Sequence, residues 1–405
     1  MNELSKHYEL LLGLEQGWSV SDVKLDIDGQ KVELFVQENS ELIVRCPECN
    51  RVCPMADHAP ERSWRHLDTM QFSTIIHARI PRSRCFEHGA KNIQTSWASP
   101  NSRFTLLFEA FAIEVLQNSS SISQACRLLR IDWKYADRLM KRAVERGLKR
   151  REIQEIKYLG IDEKSWCSGH EYATVLTDLD NKVVIDLAQD RTRLAAENLF
   201  KKLPSKHLNS VKAVAMDMHK PYMNAAVNTL PEATVVHDKY HIVQILNKCI
   251  SQVRRSEHRR LTKYGSRILS GTINKLLCRS SLRTINLDFD KVKSLAKSTA
   301  RVWVLKEVFC KAWSLKSYDQ AKKFVHRWIR SAKAHKHFLI QRLGNTIEAH
   351  LEGILSYFEH PITNAFAEGT NSQIQQIISN ARGFHTFENM RTRVLFYLGK
   401  LDIKP

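Results

Sequence analysis

The sequence predicts a multidomain α/β protein, and three features of the chain lead to that prediction. Strand-like segments around a Cys-x2-Cys pair occupy the first hundred residues. Residues 151–243 alternate between strand and helix patterns, which is typical of a mixed core. Residues 244–355 have an almost purely helical pattern with many basic side chains. We therefore expect a β-rich module, a helical segment, and a mixed core interrupted by an all-α insertion.

The charge of the chain indicates a polyanionic partner. There are 62 Lys and Arg residues against 43 Asp and Glu, which gives a net charge of +19. Such an excess of positive charge suits binding to nucleic acid. The alternatives are binding to a membrane surface and the absence of any polyanionic partner. The 405 residues, 43% of them hydrophobic, are enough for about two to four domains with ordinary cores.

Cysteine usage and hydropathy favour a cytoplasmic protein without membrane association. The nine cysteines are scattered and odd in number, which fits a reducing compartment in which a few of them bind metal. The apolar cluster at residues 10–12 is too short for a secretory leader. No segment approaches the ~20 consecutive apolar residues of a membrane span.

The first hundred residues are predicted to form a small β-rich module. An Asp28-Gly29 pair between two strand patterns indicates a hairpin turn. The expected strands are residues 23–27, 31–36, 41–45 and 72–80.

Two ligand pairs in this module predict a structural zinc site. The four ligands, in two pairs each on a turn, suit tetrahedral Zn²⁺, and a bound metal adds folding free energy to a small module. An alternative interpretation is that the first two cysteines are buried as small apolar side chains. Cys53 or His58 are further alternatives for the fourth position. The predicted ligands are Cys46, Cys49, Cys85 and His88.

Residues 101–150 are predicted to contain a helix-turn-helix. A short amphipathic helix at 122–129 precedes a turn at 130–132 and a basic helix at 133–145. In this motif the second helix enters the major groove of DNA, whereas a plain helical hairpin is the alternative. The expected exposed basic residues of the second helix are Lys134, Arg138, Lys141 and Arg142.

Three acidic residues define a predicted metal-dependent core between residues 151 and 405. Asp162 and Asp217 each end an apolar run, so we expect them at the C-terminal ends of two short buried strands. Glu368 lies in a pattern typical of the first turn of a helix. Three such carboxylates can hold two Mg²⁺ ions for phosphoryl transfer. Taken singly, such residues are more often turn residues or helix-dipole partners.

The order of elements around these acids is that of a ribonuclease H-like core. Strand patterns at 171–176 and 182–187 follow Asp162, then a helix at 194–203 and strands at 211–217 and 234–237. This order supports the fold by analogy only. The separation of 151 positions between Asp217 and Glu368 is too long for a compact core, and it predicts the helical insertion.

The predicted insertion, residues 244–355, combines basic residues with tryptophans. Trp303, Trp313 and Trp328 either stack on unpaired bases or, as is usual for a helix, pack in the core. Basic helices of this kind suit the DNA backbone. The basic residues that we expect to contact phosphates are Arg254, Arg255, Arg259 and Arg260, and Lys263, Arg267, Lys322 and Lys323 belong to the same basic pattern.

Five motifs occur in order along the chain: Gly160-Ile161-Asp162-Glu163, Ala215-Met216-Asp217-Met218, Val236-His237-Asp238-Lys239-Tyr240-His241-Ile242, Glu368-Gly369-Thr370-Asn371 and Ala381-Arg382-Gly383-Phe384. With these motifs the chain resembles bacterial DDE insertion-sequence transposases of the ISL3 family. The resemblance covers nearly the whole chain, from the Cys-x2-Cys module through the helix-turn-helix to the C-terminal region. Two departures from the family pattern are Gln375, where a Lys is common, and His88, where a Cys is common.

The resemblance implies a function and a set of roles. Asp162, Asp217 and Glu368 would be the catalytic triad, binding two Mg²⁺ or Mn²⁺ ions. Asp238 and His241 would be accessory residues, resembling an Asp/Cys-x2-His signature of transposases with a helical insertion. The implied partners are double-stranded terminal inverted repeats and target DNA, bound by a dimer or larger assembly at the bacterial nucleoid. The implied reaction is cleavage followed by strand transfer.

The implied organisation has five parts, and two other functions remain as alternatives. One alternative is a domesticated DNA-binding regulator, and the other is a metal-dependent nuclease without strand transfer. The parts are a zinc-binding module at 1–100, a helix-turn-helix region at 101–150, the first part of the ribonuclease H-like core at 151–243, the insertion at 244–355, and the C-terminal part of the core at 356–405.

Overall fold

A computed structural model of the chain describes residues 3–14, 17–261 and 289–405. The chain divides into two units, Met1–Arg151 with Leu401–Pro405, and Glu152–Lys400. Among the described residues, no helix combines the length and the apolar character that crossing a bilayer requires.

The first unit begins with a helix and two small sheets. One sheet has the order β1-β2-β5-β4, with β2 and β5 parallel and the other pairs antiparallel; the second has the order β3-β6-β7. Leu34, Trp64 and Ile76 fill the core of the first sheet. The elements are α1 (Glu3–Leu12), β1 (Trp18–Asp26), β2 (Lys31–Glu38), β3 (Met55–His58), β4 (Arg62–Arg65), β5 (Ser73–Ala78), β6 (Pro81–Cys85) and β7 (Gly89–Asn92).

The turns of this unit explain one correct and one wrong prediction. The β1–β2 hairpin closes at Gly29, whose N–H donates to the carboxylate of Asp26 (2.8 Å). The predicted strand at 41–45 is wrong. The end of this segment instead leads into the tight turn that carries Cys46, whose N–H donates to the Arg51 carbonyl (2.9 Å). The strand-like pairing there is an isolated bridge between Arg45 and Val52.

Three helices complete the first unit: α2 (Leu106–Asn118), α3 (Ile122–Leu129) and α4 (Trp133–Arg150). The Ser121 hydroxyl caps α3 by accepting from the Gln124 N–H. Arg130 ends α3 in the left-handed region with φ of 52°, which turns the chain into α4. The predicted helix at 122–129 and turn at 130–132 are therefore confirmed, and α4 runs five residues past the predicted 145.

The second unit contains a five-stranded sheet with the order β10-β9-β8-β11-β12. The first three strands are antiparallel, whereas β8, β11 and β12 are parallel. Apolar residues of the sheet pack against the two longer helices, α5 and α7. The elements are β8 (Tyr158–Cys167), β9 (Glu171–Asp178), β10 (Val183–Gln189), α5 (Arg193–Phe200), α6 (Ser205–Leu208), β11 (Ala213–Met216), α7 (Lys220–Thr229) and β12 (Thr234–His237).

A helical region with its own core follows β12. Trp328 is buried there and its Nε1 donates to the Leu305 carbonyl (2.7 Å), while Trp303 and Trp313 pack against the same core. Core packing, rather than base stacking, is thus the role of these tryptophans. The helices are α8 (Lys239–His258), α9 (Phe289–Leu295), α10 (Lys297–Cys310), α11 (Tyr318–Lys333), α12 (Phe338–Ala349) and α13 (Leu351–Leu355), with short 3₁₀ turns at Lys311–Ser314 and Ser356–Phe358. Lys263 and Arg267 lie outside the described residues.

Two C-terminal helices return to the sheet. The first, α14 (Ala365–Asn380), packs on β8, and the second, α15 (Phe387–Leu398), packs on β10. Arg391 of α15 forms two hydrogen bonds with the buried Asp186 of β10, at 2.6 and 2.9 Å. Lys202 donates to the same carboxylate (2.5 Å), so burial of Asp186 is compensated by two cations, which keep its pKa below the ordinary value.

Candidate active site and metal-binding cluster

Asp162 lies in the middle of β8, which corrects the prediction of a strand end. The strand continues because residues up to Cys167 pair with β9 in an antiparallel hairpin. On the other side of β8, however, the register with β11 ends at the pair Ala215 and Gly160. Asp162 therefore lies just beyond the last pair of the parallel ladder, where pairing with β11 has ended.

Asp217 follows β11 directly, as predicted, and lies at the same end of the parallel pair. Its Oδ1 accepts from the backbone N–H of His219 (3.0 Å), immediately before α7. The Asp217 charge is close enough to Asp162 to raise the pKa of that carboxyl group. The sheet thus brings two carboxylates together that are 55 residues apart in sequence.

Burial is the main electrostatic feature of Asp162. Only 7% of the residue is exposed, and burial raises its pKa to about 6. The charges of Asp217 and Glu163 raise it further, whereas a hydrogen bond from the Glu163 N–H and the charge of His241 lower it. A buried carboxylate with like charges beside it favours a cation at this position.

Glu368 is carried by helix α14, which packs on β8. It lies in the first turn of the helix, as predicted, and is partly exposed. One turn later, the Asn371 amide donates to Asp162 Oδ2 (2.8 Å). Residues three apart share one face of a helix, so Glu368 lies on the face of α14 that is turned toward Asp162.

Asp238 fixes the start of α14. Its buried carboxylate accepts from the Tyr240 N–H and from the Asn364 N–H, both at 2.6 Å. Tyr240 is in the first turn of α8 and Asn364 is the N-cap of α14, so a single side chain joins the N-termini of two helices. His241, one residue after Tyr240, is close enough to Asp162 for its charge to lower the pKa of that acid.

Two residues near the acids were missed by the sequence interpretation. Tyr222 of α7 is fully buried and its hydroxyl shares a hydrogen bond with Thr174 Oγ1 (2.9 Å). Burial and the nearby carboxylates raise the pKa of this phenol well above its ordinary value. Arg191 pairs with Glu163 (3.2 Å) and lies over the Tyr172 ring. No local pattern marks either residue, because their positions depend on packing between distant elements.

The three carboxylates are suited to a hard cation but do not form a closed cage. In residues 3–14, 17–261 and 289–405, the Cys/His cluster of the first unit is the one group whose ligand atoms all lie within 4.8 Å of one another. The acids are therefore more widely spaced. Open geometry of this kind fits Mg²⁺, which takes few protein ligands and completes its shell with water and phosphate.

The predicted zinc ligands form a tight cluster in the first unit. Cys46 Sγ lies 3.7 Å from His88 Nδ1, Cys49 Sγ lies 3.8 Å from Cys85 Sγ, and Cys85 Sγ lies 3.5 Å from His88 Nδ1. Zn–S bonds of about 2.3 Å in a tetrahedron place sulfur atoms about 3.8 Å apart, so the donor set fits structural zinc.

Neither alternative fourth ligand belongs to that cluster. Cys53 Sγ donates instead to the Arg51 carbonyl (3.4 Å). His58 is engaged by Glu38 at 2.6 Å. The geometry therefore favours His88 as the fourth donor.

The predicted DNA-contacting residues of α4 differ in exposure and in their ion-pair partners. Lys134 and Arg138 are exposed, and Lys141 is half-exposed and pairs with Asp137 (3.0 Å). Arg142, unlike the other three, pairs with a buried carboxylate. This residue is half-buried and pairs with Glu109 (3.3 Å), because the buried Glu109 of α2 needs a cation.

The predicted basic residues of the insertion lie at the C-terminal end of α8 and just beyond it. Arg255, Arg259 and Arg260 are exposed, and Arg254 is half-buried. A positive charge at a helix C-terminus also complements the helix dipole. These arginines therefore have a structural reason to be at this position, besides any contact with DNA.

Comparison with known proteins identifies the family. Residues 159–394 match a family profile described as transposase, of the DDE type in the ISL3 group. Residues 93–144 match the helix-turn-helix domain of transposase family ISL3, and residues 44–88 match the zinc-finger of the transposases of IS204, IS1001, IS1096 and IS1165.

Full-length relatives agree with these profiles. The chain is 25% identical over 386 residues to the transposase for insertion sequence element IS1001 of Bordetella parapertussis, covering 93% of this chain and 94% of the relative. It is 23% identical over 413 residues to the transposase for insertion sequence element IS1557 of Mycobacterium tuberculosis, covering 94% and 92%. Because the transposase profile spans more than half of the chain, this protein belongs to the ISL3 family of DNA transposases.

Proposed function

We propose that this transposase binds the terminal inverted repeats of an insertion sequence and catalyses Mg²⁺-dependent cleavage and strand transfer. One observation carries the proposal. Asp162 and Asp217 lie at the open end of one parallel strand pair, and Asn371 ties the helix that bears Glu368 to Asp162 (2.8 Å). Acids from two strands and a helix therefore come from elements that meet at Asp162.

The proposed catalytic core is ribonuclease H-like. Three antiparallel strands followed by two parallel ones, in the order β10-β9-β8-β11-β12, support this fold. We divide the chain as the sequence predicted, with 151–243 and 356–405 forming the core and 244–355 inserted between them. The boundary between the two units, after Arg151, supports the first division, whereas Leu401–Pro405 group with the first unit.

The proposed metal ligands are Asp162, Asp217 and Glu368. Two Mg²⁺ or Mn²⁺ ions bound there would supply activation of the attacking hydroxyl and neutralisation of charge on the scissile phosphate. Asp238 is a positioning residue in this proposal, because it holds the N-terminus of α14 without facing solvent. His241 acts differently, since it is close enough to Asp162 to lower the pKa of that carboxyl group and so favour its metal-binding form.

The first unit is proposed to recognise the element ends. Structural zinc held by Cys46, Cys49, Cys85 and His88 would stabilise the module that precedes α2. Lys134 and Arg138 are exposed on α4, the second helix of the helix-turn-helix, where contacts to the major groove are expected. Joining two ends requires at least two copies of the protein, so we propose a dimer or larger assembly on nucleoid DNA in the cytoplasm.

The helical insertion is proposed to hold DNA phosphates along α11. One face of this helix carries five exposed basic residues, which line a shallow cavity with Asp319. Within the described chain none of the five forms an ion pair with a carboxylate, so their charge is available to a polyanion. These residues are Lys322, Lys323, His326, Arg327 and Arg330. The exposed arginines at the end of α8 extend the proposed contacts.

The decisive experiment uses purified protein, labelled element-end DNA, a second duplex and Mg²⁺. We expect nicking at the element end and joining to the second duplex, both lost in Glu368→Gln, with binding of the end unchanged. Glu359→Gln, which alters an exposed glutamate, is the matched control and should cut normally. Binding without cutting by the wild type would support the regulator alternative, and cutting without joining would support the nuclease.

A further inference from the structure

A cavity of about 530 Å³ in the first unit is lined by four arginines. It lies between the small sheet and the helix-turn-helix, with walls from β4, β5, the segment before α2, and the turn between α3 and α4. The arginines come from three separate parts of the chain. They are Arg65, Arg103, Arg127 and Arg130.

Two of these arginines are held by neutral groups. Arg130 Nη1 donates to the Gln71 carbonyl (2.8 Å), and the residue itself is fixed in the left-handed region of the turn. Arg103 Nη1 donates to the Tyr135 hydroxyl (2.8 Å). Neutral acceptors orient a guanidinium without cancelling its charge, so both groups keep N–H donors and a full positive charge for a ligand.

The charge balance of the cavity favours an anion. Arg65 is paired with Asp68, and Asp132 is the single carboxylate in the lining. Arg127 is exposed in the last turn of α3 and forms no ion pair with any described residue. Four guanidinium groups against two carboxylates leave an excess of positive charge. Arginine binds phosphate through paired N–H donors, so a phosphate is the anion that this arrangement suits best.

The position of the cavity indicates which phosphate it binds. The cavity is too small for a duplex but large enough for one phosphate and its sugar. It adjoins the start of α4, where Trp133 and Lys134 are exposed. In helix-turn-helix proteins the first residues of the second helix approach the bases, so the DNA backbone passes next to this turn.

We propose that this cavity seats one backbone phosphate of the DNA that α4 reads, fixing the register of the helix on the duplex. Arg103, Arg127 and Arg130 contact the phosphate, while Arg65 extends the contact to the sheet. This proposal rests on the proposed recognition of DNA by the first unit. Phosphate contacts of this kind position a protein without reading sequence.

The test measures binding of the full-length protein to a labelled element-end duplex and to an unrelated duplex over a series of salt concentrations. Arg103→Gln and Arg127→Gln should each weaken binding to both duplexes by the same factor and lower the salt slope by about one. Arg127→Lys should restore the slope, since it restores the charge. Lys31→Gln, at an exposed lysine of β2 outside the cavity, is the control and should change neither value.

Two outcomes would overturn the proposal. One is a salt slope that stays at the wild-type value in both glutamine variants while the wild type binds DNA. The other is Arg127-dependent binding of deoxyadenosine monophosphate together with unchanged duplex affinity, which would assign the cavity to a free nucleotide. Absence of DNA binding by the wild type would instead contradict the proposed function, so the two failures are distinguishable.

Discussion

Replacing Asp238 by alanine tests whether the helix that carries Glu368 is positioned from its N-terminus. The variant removes a carboxylate that accepts from the Tyr240 N–H and the Asn364 N–H, both at 2.6 Å. Hydrogen bonds to a charged group contribute about 1.5–3 kcal/mol each. Two of them amount to about 3–6 kcal/mol, and removing a buried charge recovers part of this. We expect the unfolding free energy of the second unit to fall by about 3 kcal/mol.

The same change should reduce catalysis more than binding. Asn364 is the N-cap of α14, so loss of its partner lets the first turn of the helix, with Glu368, move relative to Asp162. A misplacement of about 1 Å typically costs about 100-fold in rate, and we expect a loss of that order. Asp238→Asn retains one acceptor oxygen, so it should be intermediate in both stability and rate.

The assays are urea unfolding and cleavage of a labelled element end at saturating Mg²⁺, with end binding measured separately. Asp180→Ala, at an exposed aspartate after β9, is the control and should leave all three unchanged. Normal cleavage by Asp238→Ala at a temperature where it is folded would refute the positioning role. Equal losses of end binding and cleavage would also refute it, because α14 is not part of the DNA-reading unit.

Three further predictions concern zinc, a glycine contact and pH. Cys46→Ser should release zinc and lower end affinity; unchanged zinc content by atomic absorption and unchanged affinity would contradict the site. Gly160→Ala should lower the melting temperature and slow cleavage, because an added Cβ would lie 2.9 Å from Asn364 Oδ1 and 2.6 Å from Thr177 Oγ1. A normal melting temperature and a normal cleavage rate would show that α14 tolerates the displacement of Asn364. Burial and His350 lower the pKa of His237 to about 4 from 6.5. The unfolded chain therefore takes up a proton at higher pH than the folded chain does. As the pH drops from about 6.5 to about 4, the unfolding free energy should fall by about 3 kcal/mol. Urea unfolding of His237→Gln should show a smaller fall in this free energy, and a fall equal to that of the wild type would contradict the assignment.

Local patterns in the sequence were sufficient for several elements. The helix at 122–129 and the strand at 234–237 were predicted with the bounds that the structure gives. The first has a serine cap and a turn residue at its end, and the second is a short run of β-branched residues. Cys-x2-Cys and Cys-x2-His spacing likewise identified the four members of the cluster, since each pair lies on one tight turn.

The sequence by itself determined most of the elements, the zinc-type cluster and the family motifs, because these depend on residues near one another in the chain. Tertiary structure alone decided that Asp162 lies within a strand, that Arg142 compensates buried Glu109, and that Asp238 joins two helix N-termini. It also assembled the arginine-lined cavity from separate segments. Each of these features requires contacts between distant segments, and strand pairing and burial arise only when the chain is folded.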